Sequence, residues 1–182
     1  MTISIKLLLA IAPGAKRSIV EAIAPHMGPA FESAAIVTPQ RAAHFLAQAA
    51  HECDGFKTLT EYASGRAYEG RADLGNTEKG DGVRFKGRGI FQLTGRANYR
   101  RIGAALGLPL EQTPELAADP KNSVHIAVHY WATKKRAGLS LNALADADDV
   151  VAITRAINGG LNGLESRRSY LARAKVALGV RT

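Results

Sequence analysis

The most informative part of the chain reads Phe85-Lys86-Gly87-Arg88-Gly89-Ile90-Phe91-Gln92-Leu93-Thr94-Gly95-Arg96-Ala97-Asn98-Tyr99. It overlaps the end of a glycine-rich segment, residues 63–89, which carries seven glycines and little apolar periodicity. A long aperiodic segment inside a compact chain is usually functional, so we expect this one to form a wall of a substrate cleft. Two short strands are predicted, at residues 83–85 and 90–91.

Helical periodicity lies on both sides of this segment. Upstream, Thr38 is a typical N-cap, Pro39 suits the first helical position, and apolar residues follow at helical spacing until Asp54-Gly55. Pro13-Gly14 separates a first short helix from a second, which is expected to end before Pro25. Downstream, helices are expected over residues 96–106, 123–135, 148–157 and 164–178. The predicted fold class is mainly α, with a small β-hairpin or loop region.

Length and composition fit a single domain, residues 1–182. The chain is 46% hydrophobic and 22% charged, with no low-complexity tract and no solenoid repeat. Cys53 is the single cysteine, so no intramolecular disulfide can form, and its side chain is expected to be buried. The apolar residues 7–12 are too few to span a bilayer, and Pro13-Gly14 interrupts them, so we expect neither a membrane span nor a signal peptide.

The chain is strongly basic, with a net charge of +8 and a pI near 9.9. Nucleic acid, a membrane surface and an acidic cell wall are all possible partners for such a charge. The basic residues are scattered, and they lack RNA-binding aromatic motifs or a zinc-finger spacing. We therefore expect a solvated basic surface and no specific nucleic-acid binding. The basic runs are Arg100-Arg101, Lys134-Lys135-Arg136 and Arg167-Arg168.

Glu52 falls in the last turn of the helix that Thr38 begins. Backbone carbonyls at a helix C-terminus and a largely apolar neighbourhood both make ionisation of a carboxyl less favourable, which suits a general acid. His51-Glu52 also resembles the start of the zinc motif H-E-x-x-H, but the second histidine is replaced by Gly55. His125 and His129 share a helix face but have no apparent third ligand, so no metal is expected.

Glycosidic cleavage requires two carboxyls, one to protonate the leaving oxygen and one to activate water or stabilise the developing positive charge. Glu61 and Glu69 are the candidates for the second group. The break at Asp54-Gly55 lets the chain fold back and place Glu61 across a cleft from Glu52. Glu69 could reach the same place from the glycine-rich segment, although nearby Arg71 also suits a plain ion pair.

Residues 85–99 resemble the signature of the family 19 glycoside hydrolases, which comprise chitinases and related phage endolysins. Ala50-His51-Glu52 with Gly55-Phe56 resembles the segment that bears the family's catalytic acid, and residues 157–163 with Arg167 resemble its C-terminal motif. The resemblance covers most of the chain, from about residue 36 to residue 178. It implies a lysozyme-like, two-lobed domain with a cleft between its lobes. The missing plant disulfides, the shorter loops and the N-terminal residues 8–11 favour the endolysin branch.

The resemblance also implies an inverting mechanism that needs no metal or cofactor. Glu52 matches the proton donor, and Thr94 and Gln92 match residues that hold the nucleophilic water and the acetamido group of the substrate. The endolysins of the family favour Glu61 as the general base, whereas the plant chitinases favour Glu69, and we prefer Glu61. Substrate-binding roles are implied for Asn98, Tyr99, Asn158 and Arg167, the last by orienting a carboxylate.

The expected reaction is hydrolysis of the β-1,4 bond between N-acetylmuramic acid and N-acetylglucosamine in peptidoglycan, an anionic polymer that suits a basic protein. Two alternatives remain open: a chitinase acting on N-acetylglucosamine polymers, and a non-catalytic cell-wall-binding module. We expect a monomer with no stable membrane insertion. The resemblance implies a cytoplasmic enzyme that reaches the wall through a membrane lesion made by another protein.

Overall fold

The computed structural model describes residues 1–180 and is mainly helical, as predicted. The glycine-rich segment adds two short 3-10 helices, Arg66–Tyr68 and Ala72–Leu74, and a third such helix spans Pro114–Ala118. The α-helices are α1 (Ile5–Ile11), α2 (Arg17–Ser33), α3 (Pro39–Glu52), α4 (Asp81–Arg84), α5 (Arg96–Leu106), α6 (Pro120–Thr133), α7 (Leu141–Asp146), α8 (Val150–Asn158) and α9 (Leu164–Leu178).

Helix α3 is the central element, and its boundaries follow from local chemistry. The hydroxyl of Thr38 accepts a hydrogen bond from the backbone N–H of Arg41, and Pro39 occupies the first turn, as predicted. The helix ends at Glu52 because Asp54 and Gly55 both adopt the left-handed conformation, with φ of 51° and 67°. Helix α3 packs extensively against α9, so the segment that carries Glu52 lies beside the segment that carries Arg167.

Helix α2 differs from the prediction because it continues through Pro25 and ends at Ser33. The helix contains two prolines, Pro25 and Pro29, and each proline inside a helix costs about 3 kcal/mol. Beyond Pro25, however, Met27 and Phe31 continue the apolar face that Ile23 begins, and all three side chains are fully buried. Burying each side chain of this size contributes about 1.5–3 kcal/mol, so the three together offset the cost of the two prolines.

The buried apolar residues form two separate clusters. In the larger cluster the Phe45 ring contacts Phe31 and Trp131, with ring centroids 4.9 and 5.4 Å apart. In the smaller cluster Phe85 packs edge-on against Tyr99 at 5.4 Å, and both rings are fully buried. The stretch of residues 85–99 supplies side chains to both clusters, since Ile90 belongs to the larger one.

The predicted strands at residues 83–85 and 90–91 were wrong. Val83 lies in α4, whose start is set by the left-handed Gly80, and residues 90–91 lie in turns beside two single bridges, Thr60–Arg88 and Arg88–Leu93. Apolar runs this short carry too little periodicity to distinguish a strand from a helical turn. The segment is held instead by charge, because buried Asp81 accepts two hydrogen bonds from Arg96, which keep the pKa of that carboxyl below its usual value.

The small hairpin occurs elsewhere, between α6 and α7. Strands β1 (Lys135–Arg136) and β2 (Leu139–Ser140) pair antiparallel through a two-residue turn, Ala137-Gly138. Both turn residues have positive φ, which matches the twist of a tight hairpin.

Between residues 1 and 180, no helix is long and apolar enough to cross a membrane.

Candidate active site

Glu52, the last residue of α3, is fixed by a buried arginine from α9. Its side chain is 20% exposed, and its Oε1 accepts a hydrogen bond from Arg167 Nη2 at 2.5 Å. Arg167 is fully buried, and its Nη1 donates to Oε1 of Gln48, one helical turn before Glu52. A guanidinium that grips two side chains of one helix gives the Glu52 carboxyl a defined position and leaves part of it exposed.

These contacts identify the carboxylate that Arg167 meets and add a residue that the sequence reasoning missed. The resemblance placed Arg167 among the substrate-binding residues as an arginine that orients a carboxylate. The structure places it fully buried, with its guanidinium on the carboxylate of Glu52. Gln48 was not considered, although its spacing of four residues from Glu52 places the two on one helix face. That spacing was the signal that could have identified it.

Glu61 lines the same cavity as Glu52 and is held there by two neighbours. Its Oε1 accepts from the hydroxyl of Tyr68 at 2.8 Å, and its Oε2 accepts from the backbone N–H of Gly87 at 2.9 Å. The backbone N–H of Glu61 also donates to the carbonyl of Gly87. Burial, followed by the hydrogen bond to Glu61, raises the pKa of Tyr68, so this phenol remains a donor to the carboxylate. After the left-handed Asp54 and Gly55, the chain thus brings Glu61 to the cavity that Glu52 lines.

Glu69, the alternative base, has both carboxylate oxygens engaged outside the cleft. They accept from the backbone N–H groups of Gly80 and Gly82, at 2.6 and 2.8 Å. A Cβ on Gly82 would lie 2.5 Å from the backbone nitrogen of Glu69, so only glycine allows this approach. Glu69 is placed to hold the glycine-rich segment together, and the structure does not bring it to Glu52.

Gln92 and Thr94 lie at the centre of the cleft. Gln92 has a φ of 47°, a conformation that is rare outside glycine and is often found at functional sites. Its amide nitrogen donates to the carbonyl of Gly89 at 2.8 Å, which leaves its amide oxygen as an acceptor. The Thr94 hydroxyl donates to the carbonyl of Gln92 at 2.8 Å, so its lone pairs are available to accept a hydrogen bond.

The remaining predicted binding residues divide into two groups. Asn98 lines the cleft, with its amide nitrogen donating to the carbonyl of Thr94 at 2.8 Å, and exposed Asn158 ends α8 beside cleft-lining Ile157. Tyr99 was expected to bind substrate, but its ring is fully buried and its hydroxyl donates to the carbonyl of Lys86 at 2.7 Å. Burial raises the pKa of Tyr99 to about 12, and its place is in the smaller core cluster.

Two cavities meet at Glu52 and Gln92, which line both of them. One cavity, of about 330 Å³, also contains Glu61, Tyr62 and other polar side chains. The other, of about 230 Å³, contains Thr94 and Asn98 among mainly apolar residues that include Tyr130. A cleft with polar and apolar halves on either side of a carboxyl suits an amphipathic, chain-like substrate such as a polysaccharide.

The residues on either side of Glu52 have distinct surroundings. The ring of His51 packs so closely against the backbone of Gly163 that a Cβ on Gly163 would lie 2.2 Å from the ring. The Nδ1 of His51 is 3.0 Å from the hydroxyl of Ser166. Burial lowers the pKa of His51. Cys53 is fully buried, and burial raises the pKa of its thiol to about 12, which fits a packing role.

Residues 1–180 contain no group of three or more side chains arranged to hold a metal ion.

Comparison with known proteins identifies the family. The family model described as class I chitinase, glycosyl hydrolase family 19, matches residues 19–165. The chain belongs to glycoside hydrolase family 19. A family 19 domain-containing protein of Haemophilus influenzae is 30% identical over 188 residues, which cover 86% of this chain and 88% of that protein. Acidic endochitinase Q of Nicotiana tabacum is 35% identical over 92 residues, which cover half of this chain and 34% of the endochitinase.

Solved structures support the fold of this family 19 glycosidase. Chitinase C from Streptomyces griseus superposes with a TM-score of 0.79 at 24% identity, covering all of this chain and 78% of that one. The mainly helical, lysozyme-like architecture expected from the sequence is thereby confirmed. The residues matched by the family model, 19–165, include Glu52, Glu61 and Gln92, which line one cavity.

Proposed function

We propose that the chain hydrolyses the β-1,4 bond between N-acetylmuramic acid and N-acetylglucosamine in peptidoglycan. In this proposal Glu52 is the general acid and Glu61 is the general base of an inverting reaction. The observation that carries it is that Glu52, Glu61 and Gln92 line one cavity, whereas both oxygens of Glu69 are bound to backbone N–H groups elsewhere. Two carboxyls on either side of a glycosidic bond are the basic requirement of the reaction.

Glu52 would protonate the leaving oxygen. Within the described part of the chain, its protein hydrogen bond is to Oε1, from Arg167, and this leaves Oε2 to carry the proton that is transferred. As the bond between the anomeric carbon and the bridging oxygen breaks, the proton moves from Glu52 to that oxygen, and Arg167 stabilises the carboxylate that forms. Since Arg167 is buried, it performs this role without contacting the sugar.

Glu61 would activate the water that attacks the anomeric carbon from the opposite face. Its carboxylate is held by Tyr68 and the Gly87 N–H, so its direction is set before substrate binds. The water gives one proton to Glu61 while its oxygen bonds to carbon, and Glu52 loses its proton in the same step, so charge balances. Thr94 and Gln92 each keep an acceptor oxygen at the cleft, suited to the water and to the acetamido N–H of the sugar.

The choice of peptidoglycan rests on charge. A protein of net charge +8 attracts an anionic polymer over several ångströms, and neutral chitin gains nothing from this field. The tobacco relative is named an endochitinase and the Streptomyces protein a chitinase, which favours chitin as the second candidate. The two substrates differ mainly in the carboxylates that peptidoglycan carries.

The experiment compares release of reducing ends from purified peptidoglycan and from chitin oligomers, by the parent and by Glu52→Gln. We expect turnover of peptidoglycan by the parent and a loss of at least about 1,000-fold in Glu52→Gln, since the amide cannot donate a proton to the leaving oxygen. Circular dichroism checks that the variant is folded. Turnover of chitin alone would favour the second candidate, and wall binding without turnover by either protein would indicate a non-catalytic module.

A further inference from the structure

The arginines of α5 differ in whether an acidic residue neutralises them. Arg96 pairs with Asp81, and Arg100 pairs with Glu111 at 2.7 Å. Arg101 follows directly in the sequence and is exposed, yet it makes no ion pair with any residue between 1 and 180. Its one side-chain hydrogen bond in that range runs from Nη2 to the amide oxygen of Asn98, at 3.1 Å.

Arg101 lines the cavity of about 230 Å³ that it shares with Glu52, Thr94 and Asn98. It is the one cation among the described residues that line this cavity, and most of the others are apolar. Asn98 is itself oriented, because its amide nitrogen donates to the carbonyl of Thr94 and this turns its amide oxygen toward Arg101. The guanidinium is therefore held at the cleft with most of its donors free.

A free guanidinium in a sugar-binding cleft is informative about the substrate. Guanidinium presents five N–H donors in a planar fork that matches a carboxylate, and one of them is used by Asn98. A neutral N-acetylglucosamine chain would cover this cation without offering a carboxylate, which costs binding energy. A substrate with a carboxylate next to the sugar ring would gain a charged pair at the same place.

We propose that Arg101 is a specificity-determining residue that binds a carboxylate of the muramoyl unit and so favours peptidoglycan over chitin. This inference rests on the proposed peptidoglycan hydrolase function. Two carboxylates share this chemistry. In strands stripped of their peptides the lactyl group of muramic acid ends in a free carboxylate, whereas in intact peptidoglycan that group is an amide and the carboxylates belong to the stem peptide.

The test compares steady-state kinetics of the parent with Arg101→Gln, Arg101→Lys and Arg100→Gln. Arg100→Gln is the matched control, because it makes the same charge change one residue away, at a side chain paired with Glu111 outside the cleft. The substrates are soluble intact peptidoglycan fragments, amidase-treated glycan strands and chitin oligomers. For Arg101→Gln we expect KM to rise about tenfold or more on an anionic substrate, with kcat within about twofold.

Three further readouts separate recognition from a structural effect. Arg101→Lys should recover part of the affinity, since it restores the charge but not the fork. Arg100→Gln should stay within about twofold of the parent, and added salt should raise KM more steeply for the parent than for Arg101→Gln. Arg101→Gln should not raise the KM for chitin oligomers and should lower it if anything, since a neutral chain offers the guanidinium no carboxylate. The anionic substrate that shows the dependence on Arg101 identifies the source of the carboxylate.

The inference is overturned if Arg101→Gln and Arg100→Gln have the same KM on both anionic substrates. In that case the loss of turnover in Glu52→Gln would still support the proposed function. If the parent cleaves chitin and leaves both forms of peptidoglycan intact, the proposed substrate is wrong and Arg101 has no carboxylate to recognise.

Discussion

Gly87→Ala is a direct test of how Glu61, the proposed general base, is positioned. Gly87 contacts Glu61 through both backbone groups, and an added Cβ would lie 2.8 Å from Oε1 of Gln92 and 3.1 Å from Oε2 of Glu61. Carbon and oxygen atoms normally approach to about 3.3 Å, so the side chain of Gln92 must move by roughly half an ångström. Both obstructing atoms are ends of side chains that carry proposed catalytic roles.

The backbone of Gly87 has no positive φ, so alanine introduces no backbone strain there. A glycine-to-alanine change at such a position favours folding by about 0.4–1 kcal/mol, which offsets part of the steric cost. Because a misplacement of 1 Å costs about 100-fold in rate, half that displacement predicts a loss of about tenfold in kcat/KM. Stability should change by less than about 1 kcal/mol, or a few degrees in Tm.

The assay measures kcat/KM from reducing ends released from peptidoglycan, and Tm by thermal unfolding. Gly14→Ala is the control, since a Cβ there meets the Lys57 side chain at an ordinary 3.7 Å and lies outside both cavities of the cleft. The reasoning is refuted if Gly87→Ala keeps the activity of the parent within twofold, or if its loss of activity is matched by unfolding.

Four other substitutions have distinct expected outcomes. Glu61→Gln should reduce kcat by at least about 100-fold with little effect on Tm. Glu69→Gln should lower Tm and leave kcat of the folded protein unchanged. The reverse pattern would make Glu69 the base. Arg167→Lys should reduce kcat more than it raises KM, since one ammonium cannot reproduce the fork that fixes Glu52, and a change in KM alone would indicate substrate contact. Burial lowers the pKa of His44, so the neutral imidazole stabilises the fold above about pH 6.5, and this stabilisation is lost as the pH falls further. His44→Gln should therefore flatten the fall of Tm between about pH 7 and 5. An unchanged slope would contradict this.

Local sequence signals were sufficient for the helix that carries Glu52. Thr38, Pro39 and Gly55 fix the two ends of α3 through capping and backbone preference, and these depend on neighbours in the sequence alone. The final helix was also predicted with its observed bounds, Leu164–Leu178. The position of Glu52 at a helix end followed from the same local chemistry.

Long-range contacts explain what the sequence could not provide. Whether Glu61 or Glu69 faces the cleft depends on which backbone N–H groups meet each carboxylate, and those belong to residues 80–87. Local preferences alone predict a helix end at Pro25, and they contain no information on the packing of Met27, which lies beyond it. Burial likewise separated Tyr99, a core residue, from the amides that line the cleft.

The roles of the two carboxylates are tested most directly by the configuration of the first product. The parent is mixed with soluble peptidoglycan fragments, and the anomeric proton of the new reducing end is followed by NMR before mutarotation equilibrates it. Attack by a water held at Glu61 while Glu52 protonates the leaving group predicts the α-anomer from a β-linked substrate. Release of the β-anomer would show retention of configuration and contradict this mechanism.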